Sequence, residues 1–455
     1  MGAYRMRLPR TDQGRLLLVF VLLAAVTAFT ATVPLLRDWF DLRVYHGTVD
    51  SWVHHGGRIY DYLVPGTTYG FTYPPFAAVA MLPMALLNLP AAIVVALLLN
   101  LAALGVVLRI LVGRDWRRYG WFGCALTACA LALFEPLRDT FSFGQVNVLL
   151  LALVLTDAWL LATGRERWAG IGIGLAAAIK LTPALFIGLL LLSRKWRAAG
   201  VATVVAAGAT AFAAWVTPDA SRFYWTRALW DTTRVGRLDY VSNQSVQGVL
   251  ARLGEHGRPV WAIIVLLVLC VWAWRASRAV AAGEWIAAFA LTGLAACLVS
   301  PITWVHHLVW LLPSFVVLVR AGHPRIAGAL YAVLCTSVVW LWFDDASGID
   351  GFLGSNAYVW ITLGLLLWLP VGQLSAGRPF LERVVTATAP APKPAAPATI
   401  PASAQPGPSS TGLATAADTG SGPGRGLARS SSSEPTGSTR PAASNPQSSS
   451  SRASS

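Results

Sequence analysis

The sequence predicts an all-α membrane protein that crosses the bilayer many times, and three observations carry that prediction. The 455-residue chain is 55% hydrophobic and only 12% charged, about half the charge of an ordinary soluble protein, where charged residues make up ~25%. Its mean hydropathy is +0.57. Windows such as Leu16–Leu36, Leu89–Leu111 and Val260–Trp274 are long and nearly uncharged, as a hydrocarbon layer of ~30 Å requires of a spanning helix. Together these exclude a soluble enzyme of ordinary composition. The net charge of +14 is not a nucleic-acid footprint: of the 35 basic residues only Lys180, Lys195 and Lys393 are lysines, an arginine skew that is compositional. Cys124, Cys129, Cys270, Cys297 and Cys335 lie within or beside apolar runs and read as small core hydrophobes, with no disulfide framework.

The elements follow in order. Arg5, Arg7, Arg10 and Arg15 place the N-terminus inside, since cytoplasmic loops are rich in Arg and Lys. The first apolar run, about 15–36, is too long for a signal-peptide core and reads as an anchor helix running outward. Arg37–Tyr73 is then an external loop, Pro74–Asn88 a short or re-entrant helix, and 90–111 a return inward to the basic cluster Arg109–Arg118. Crossings at 119–136 and 145–163 come next. Trp168–Leu192 has basic clusters at both ends and Lys180-Leu-Thr-Pro183 in its middle, which predicts a broken helix or hairpin. Six more crossings fall near 198–217, 259–280, 283–300, 304–320, 325–343 and 356–372, giving about twelve membrane helices with both termini inside. Residues 1–374 form the membrane domain. Residues 375–455 are rich in Ala, Pro and Ser, with runs at Ser430–Ser433 and Ser448–Ser451, and read as a disordered cytoplasmic tail.

This topology collects the unusual polar residues on the external face: Asp41-Leu-Arg43-Val-Tyr45-His46, Thr72-Tyr73-Pro-Pro75, Glu135 to Asp139, Gly144-Gln145-Val-Asn147, Asn243-Gln244-Ser245 and Ser300-Pro-Ile-Thr-Trp304-Val-His306-His307. Asp41 fits a general base that takes a proton from a sugar hydroxyl, or an ion-pair partner of Arg37 or Arg43; the residue alone does not choose. His306 and His307 suit hydrogen bonding to a leaving phosphate or an interfacial cap. Neighbours on a helix point ~100° apart, so only one of them is expected to face the cavity of Asp41. Tyr45, Tyr73 and Trp304 suit stacking on sugars, or an aromatic belt. Lys180 lies mid-segment, where an ionisable group usually faces a cavity; an ammonium there suits a lipid-linked phosphate. Asn243-Gln-Ser245 matches a glycosylation pattern but reads as a hydrogen-bonding loop. Pro218–Arg258 combines arginines with Trp225 and Trp230, a composition that suits a phosphorylated sugar or a solvated loop. The histidines show no recognised ligand spacing, so no metal and no cofactor is expected.

In their order these motifs resemble the actinobacterial polyprenol-phosphate-mannose-dependent α-(1→2)-mannosyltransferases, a glycosyltransferase family of the GT-C type. The resemblance covers residues 15 to about 372. It implies a multi-pass plasma-membrane enzyme with its active site on the periplasmic side. The implied donor is polyprenyl-phosphate mannose and the acceptor a phosphatidylinositol mannoside or lipomannan. It implies Asp41 as base, with His306 or His307 acting beside it. Arg43, Tyr45, His46, Tyr73, Gln145, Asn147, Lys180, Asn243, Gln244 and Trp304 complete the expected substrate site. Two other readings are a transporter or flippase of a lipid-linked sugar, and a GT-C enzyme using another polyprenyl-phosphate sugar. No motif repeats between the halves, which weighs against the transporter.

Overall fold

The structure, a computed structural model, describes residues 9, 11–32, 38–113, 120–254 and 257–372. The expected tail and the first basic cluster, apart from Arg15, lie outside the described residues. The described chain is helical throughout, its single β-bridge joining Leu63 and Gly70. In order the helices are α1 (Asp12–Thr32), α2 (Phe40–His54), α3 (Pro75–Met81), α4 (Leu89–Val112), α5 (Gly120–Leu133), α6 (Glu135–Phe143), α7 (Asn147–Ala162), α8 (Ile171–Ile179), α9 (Leu185–Leu192) and α10 (Trp196–Val216). Then come α11 (Pro218–Thr226), α12 (Val246–Arg252), α13 (Arg258–Ala281), α14 (Trp285–Val299), α15 (Leu312–Arg320), α16 (Pro324–Cys335), α17 (Gly348–Ser355) and α18 (Ala357–Trp368).

Among the described residues α1, α4, α10 and α13 are long and apolar enough to cross a membrane. The pairs α5–α6 and α17–α18, bent by 74° and 59°, raise the number to six. The chain is a multi-pass membrane protein. Several expected crossings are shorter than full spans: α7, α9, α14 and α16 are apolar helices of 10–17 residues or shorter stretches joined to 3₁₀ turns. The shortness of α14 follows from what surrounds it. The long helices turn residues such as Leu98, Leu99, Val204, Phe212, Ile263 and Leu266 outward, toward where lipid would lie. In contrast α14 is apolar on every side and buried along nearly its whole length, the pattern of a helix enclosed by protein. It packs against α7, α13, α15 and α18. The main core runs through these helices.

A second, smaller core is rich in rings. Leu42, Val44 and Tyr45 of α2 pack with Ile59, Tyr60, Phe71, Tyr73 and Tyr224. Tyr45 meets Phe71 edge-on at 6.2 Å, and Tyr60 stacks on Tyr224 at 6.0 Å. Ring pairs at these separations add to the burial energy of their area. This cluster holds α2 in place, and α2 carries Asp41.

Candidate active site

Three chain breaks deliver the polar residues to one place. The first lies before α2, where Asp38 and Trp39 take left-handed backbone conformations (φ 48° and 55°). Trp39 N–H donates to Ser142 O at 3.0 Å. The turn puts Asp41 in the first turn of α2, where the helix dipole favours a carboxylate. The second is Gly144, left-handed at φ 70° and so close to α2 that a Cβ there would lie 2.6 Å from Leu42 Cβ. Only glycine fits both demands, and the turn swings Gln145 toward α2 while Asn147 opens α7. The third lies after Ile179, where α8 stops and Lys180 is extended (φ −147°, ψ 131°) ahead of Thr182-Pro183. The Lys-Leu-Thr-Pro sequence predicts this break.

What converges is a continuous hydrogen-bonded string. Gln145 Nε2 donates to Asp41 Oδ2 at 2.7 Å. Tyr73 OH donates to Gln145 Oε1 at 2.9 Å, and Tyr45 OH donates to Tyr73 at 3.0 Å. Lys180 Nζ donates to Tyr73 OH at 3.4 Å and to Asn147 Oδ1 at 3.1 Å, and lies 2.7 Å from His307 Nε2. Burial pushes the Asp41 carboxyl up to about 6, offset in part by the Gln145 hydrogen bond and by Lys180. At neutral pH it is therefore ionised and a stronger proton acceptor than an ordinary aspartate.

The groups around Lys180 are oriented by partners of their own. Trp304 N–H donates to His307 Nδ1 at 3.1 Å, which turns Nε2 of the ring toward Lys180. Asn147 Nδ2 donates to His306 O at 3.2 Å, which leaves Oδ1 facing Lys180. Lys180 thus donates to Tyr73 and Asn147 and lies against the imidazole of His307. The enclosed space lined by Asn147, Lys180, Thr182, Cys297 and His307 is about 10 Å³, room for one water.

His307 owes its place to a strap. Asn243 Oδ1 accepts from Thr303 N–H at 2.9 Å, and Asn243 Nδ2 donates to Pro301 O at 3.2 Å. Ser245 Oγ donates to Pro301 O at 2.9 Å, and Gln244 N–H donates to Thr303 O at 2.7 Å. The Arg252 guanidinium donates to the Tyr240 and Asn243 carbonyls and to Asn356. The 3₁₀ turn Val305–Leu311 is thereby fixed with His307 turned toward Lys180.

Of the residues expected from sequence, Asp41, Tyr45, Tyr73, Gln145, Asn147, Lys180 and His307 meet in this cluster. The others do not. Arg43 pairs with Asp38 at 2.9 Å rather than with Asp41. His46 Nε2 hydrogen-bonds Leu87 O at 2.8 Å and ties α2 to the neighbouring loop. His306 is buried, its ring edge-on to Phe143 at 5.1 Å and at 82° to the His307 ring. Asn243 and Gln244 are wholly buried in the strap, and Gln244 Nε2 also reaches Ser355 O. Trp304 packs edge-on against Tyr240. Tyr45 and Tyr73 are 4% and 9% exposed, so their faces are spent on each other and on Phe71 and are closed to a sugar. Sequence reasoning missed Thr140, whose hydroxyl reaches His306 O at 3.1 Å, and the bracing role of Arg252, which it counted only among the arginines of the Pro218–Arg258 loop. Neither stands in a motif whose spacing gives it away.

Residues 71–301 match the family model of Glycosyltransferase family 87. The chain belongs to that family. It is a glycosyltransferase, and membership of the family sets aside the transporter reading. It is 34% identical over 319 residues to a polyprenol-phosphate-mannose-dependent alpha-(1-2)-phosphatidylinositol mannoside mannosyltransferase of Mycobacterium tuberculosis, covering 66% of this family 87 chain and 74% of the relative. The Mycolicibacterium smegmatis protein of the same description is 33% identical over 350 residues, 69% of this chain and 78% of the other. A polyprenol-phosphate-mannose-dependent alpha-(1-2)-phosphatidylinositol pentamannoside mannosyltransferase of M. tuberculosis is 33% identical over 398 residues, 80% and 88% of the two chains. No solved structure matches the chain.

Proposed function

We propose that this family 87 enzyme transfers mannose from polyprenyl-phosphate mannose to the 2-hydroxyl of a mannose on a phosphatidylinositol mannoside or lipomannan, forming an α-(1→2) linkage. The observation that carries the reading is the string that joins a carboxylate, Asp41, to an amine and imidazole, Lys180 and His307. Such a pair of ends matches the two demands of transfer from a phosphodiester, namely a base for the attacking hydroxyl and donors for the departing phosphate. The relatives' substrates supply the identities of donor and acceptor.

Transfer from a β-linked donor to an α-product is a single inverting displacement. The acceptor oxygen forms its bond to C1 as the C1–O bond to phosphate breaks. Asp41 takes the hydroxyl proton, and the electron pair leaves with the lipid phosphate. The phosphate gains one negative charge in that step. Lys180 Nζ and the His307 ring meet that charge with hydrogen bonds. These donors are held in place before the reaction, which is what makes such groups effective. The space beyond Lys180 admits a water only, so the phosphate approaches from the side of Asp41. The architecture we assign is GT-C with about twelve membrane helices, the active site periplasmic and both termini cytoplasmic. The arginines gathered at the inner ends of the crossings support this orientation.

Membranes containing the enzyme, supplied with labelled mannose either as polyprenyl-phosphate mannose or as a nucleotide sugar, test the donor. Label in a mannolipid that an α-(1→2)-specific mannosidase removes, formed from the lipid-linked donor alone, is the expected result. Transfer from the nucleotide sugar in the absence of any polyprenyl phosphate contradicts it.

A further inference from the structure

Gln145 and Tyr73 stand between Asp41 and Lys180, and both are buried too deeply to meet a sugar. Gln145 is 3% exposed. Its backbone closes α6 in a Schellman arrangement, Gly144 N–H donating to Phe141 O at 3.1 Å and Gln145 N–H to Thr140 O at 2.8 Å. Tyr73 comes just before Pro74-Pro75, which keep the chain out of a helix until α3 begins. Its carbonyl accepts from Tyr60 OH at 2.8 Å. Its ring lies 5.5 Å from that of Tyr45 and 5.9 Å from that of Phe71, with Lys180 Nζ 5.0 Å from its centre.

The partners fix the direction of every bond in this part of the string. An ionised carboxylate only accepts, so the Gln145 amide turns Nε2 to Asp41 Oδ2 and Oε1 to Tyr73. A carbonyl oxygen also only accepts, so it takes the single Tyr73 proton. The lone pairs of Tyr73 are then left for Tyr45 OH and Lys180 Nζ. Each bond from Lys180 to Asp41 therefore points toward the carboxylate, and bonds aligned in this way polarise one another. Oδ2 is taken. Among the described residues no hydrogen bond reaches Oδ1, the oxygen left for an acceptor hydroxyl.

We infer that Gln145 and Tyr73 are positioning residues for the base, not ligands of either substrate: they keep Asp41 ionised and aim its free oxygen. The inference rests on the reading of Asp41 as base given above and adds what holds that base ready. Among the groups that counter burial at the Asp41 carboxyl, the Gln145 hydrogen bond is the strongest, ahead of Lys180. Lys180, Tyr45 and Tyr73 are the titratable groups that face Asp41, whereas Arg43 is turned to Asp38.

The test reads the pH profile of transfer by the whole enzyme for Gln145→Met and Tyr73→Phe, with polyprenyl-phosphate mannose as donor. Both variants keep most of the native side-chain volume. Without the Gln145 donor, the fall of kcat/KM at low pH should move up from about 6 by about one pH unit, the worth of a hydrogen bond to a charged group. Tyr73→Phe should move it the same way by less, since the amide stays but loses its anchor. KM for donor and acceptor should stay within about twofold in both, because neither side chain touches substrate. The double variant of Asp41→Asn with Gln145→Met should match Asp41→Asn alone within about twofold, because Gln145 acts only through the carboxylate.

An acidic limb that stays in place while kcat and melting temperature fall marks a merely structural role and overturns the inference. A several-fold rise in either KM, or a further loss in the double variant, does the same. If Gln145→Met does not fold, Tyr73→Phe decides alone, since it deletes one buried hydroxyl and keeps the ring. Transfer at the native rate by Asp41→Asn removes the base and this inference with it. A fixed limb beside a slow Asp41→Asn removes the inference and leaves the base standing.

Discussion

The two ends of the polar string are held by different forces. Asp41 rides on a helix packed into rings, where Leu42, Val44 and Tyr45 lean on Tyr60, Phe71 and Tyr73. His307 sits in a loop with little regular structure, and hydrogen bonds from buried Asn243, Gln244 and Ser245 strap it down. The difference shows what each end must do. A packed helix positions one carboxylate and tolerates small changes of volume. A strap of directional bonds fixes ring orientation and proton position, the features that matter for donors aimed at a phosphate. It also explains why short motifs of similar appearance play different parts: Gly144-Gln-Val-Asn147 carries side chains into the cluster, whereas Asn243-Gln-Ser245 only holds another loop in place.

Substitutions that break one end or the other sharpen this contrast. Asp41 itself aside, the largest effect is expected at the phosphate end. Lys180→Met should lower kcat by about 10²–10³, the cost of losing a preorganised electrostatic donor, with an unchanged melting temperature in detergent; a loss below tenfold removes Lys180 from the chemistry. Gly144→Ala comes next. A left-handed non-glycine residue costs ~1–3 kcal/mol, and its Cβ also collides with Leu42, so both melting temperature and transfer should fall. Asn243→Ala leaves Thr303 N–H and Leu238 O without their side-chain partner, while Pro301 O keeps Ser245 Oγ. It should cost ~1–3 kcal/mol of stability and lower kcat more than KM, as His307 loses its orientation. Kinetics and a melt on the same preparation check this. Arg43→Ala should change least. It breaks an exposed pair with Asp38, and such pairs are worth ~0–1 kcal/mol, so activity within about twofold is expected. A hundredfold loss there would return Arg43 to the substrate site.

The sequence made the class and much of the site legible because the signals were local. Uncharged runs mark α4, α10 and α13, and a lysine followed by Thr-Pro inside an apolar segment marks the break that exposes Lys180. Asp41, Gln145, Asn147 and His307 stand in motifs that the external-face argument collected. What stayed hidden depends on tertiary packing. Nothing local distinguishes Tyr45 and Tyr73, buried and donating hydrogen bonds, from rings open to a sugar. The pairing of Arg43 with Asp38 instead of Asp41 depends on two left-handed residues that no glycine announces. The partners of Lys180 need Asn147 and His307 seen together, from chain positions more than 150 residues apart. Spans as short as α14 escape because a helix enclosed by protein need not match the thickness of the bilayer.

The central claim is that Asp41 is the base opposed to a phosphate-binding amine and imidazole. The measurement that tests it most directly is the pH profile of mannose transfer by the native enzyme, taken beside Asp41→Asn at matched expression. The reaction needs the carboxylate ionised. With burial holding that group at about 6, kcat/KM of the native enzyme should fall as pH drops through about 6 and level off above it. Asp41→Asn should lose about 10²–10⁴ of the rate and the acidic limb with it. Transfer by Asp41→Asn at the native rate, or the same acidic limb persisting in its residual activity, would contradict the account and remove Asp41 from the proton transfer.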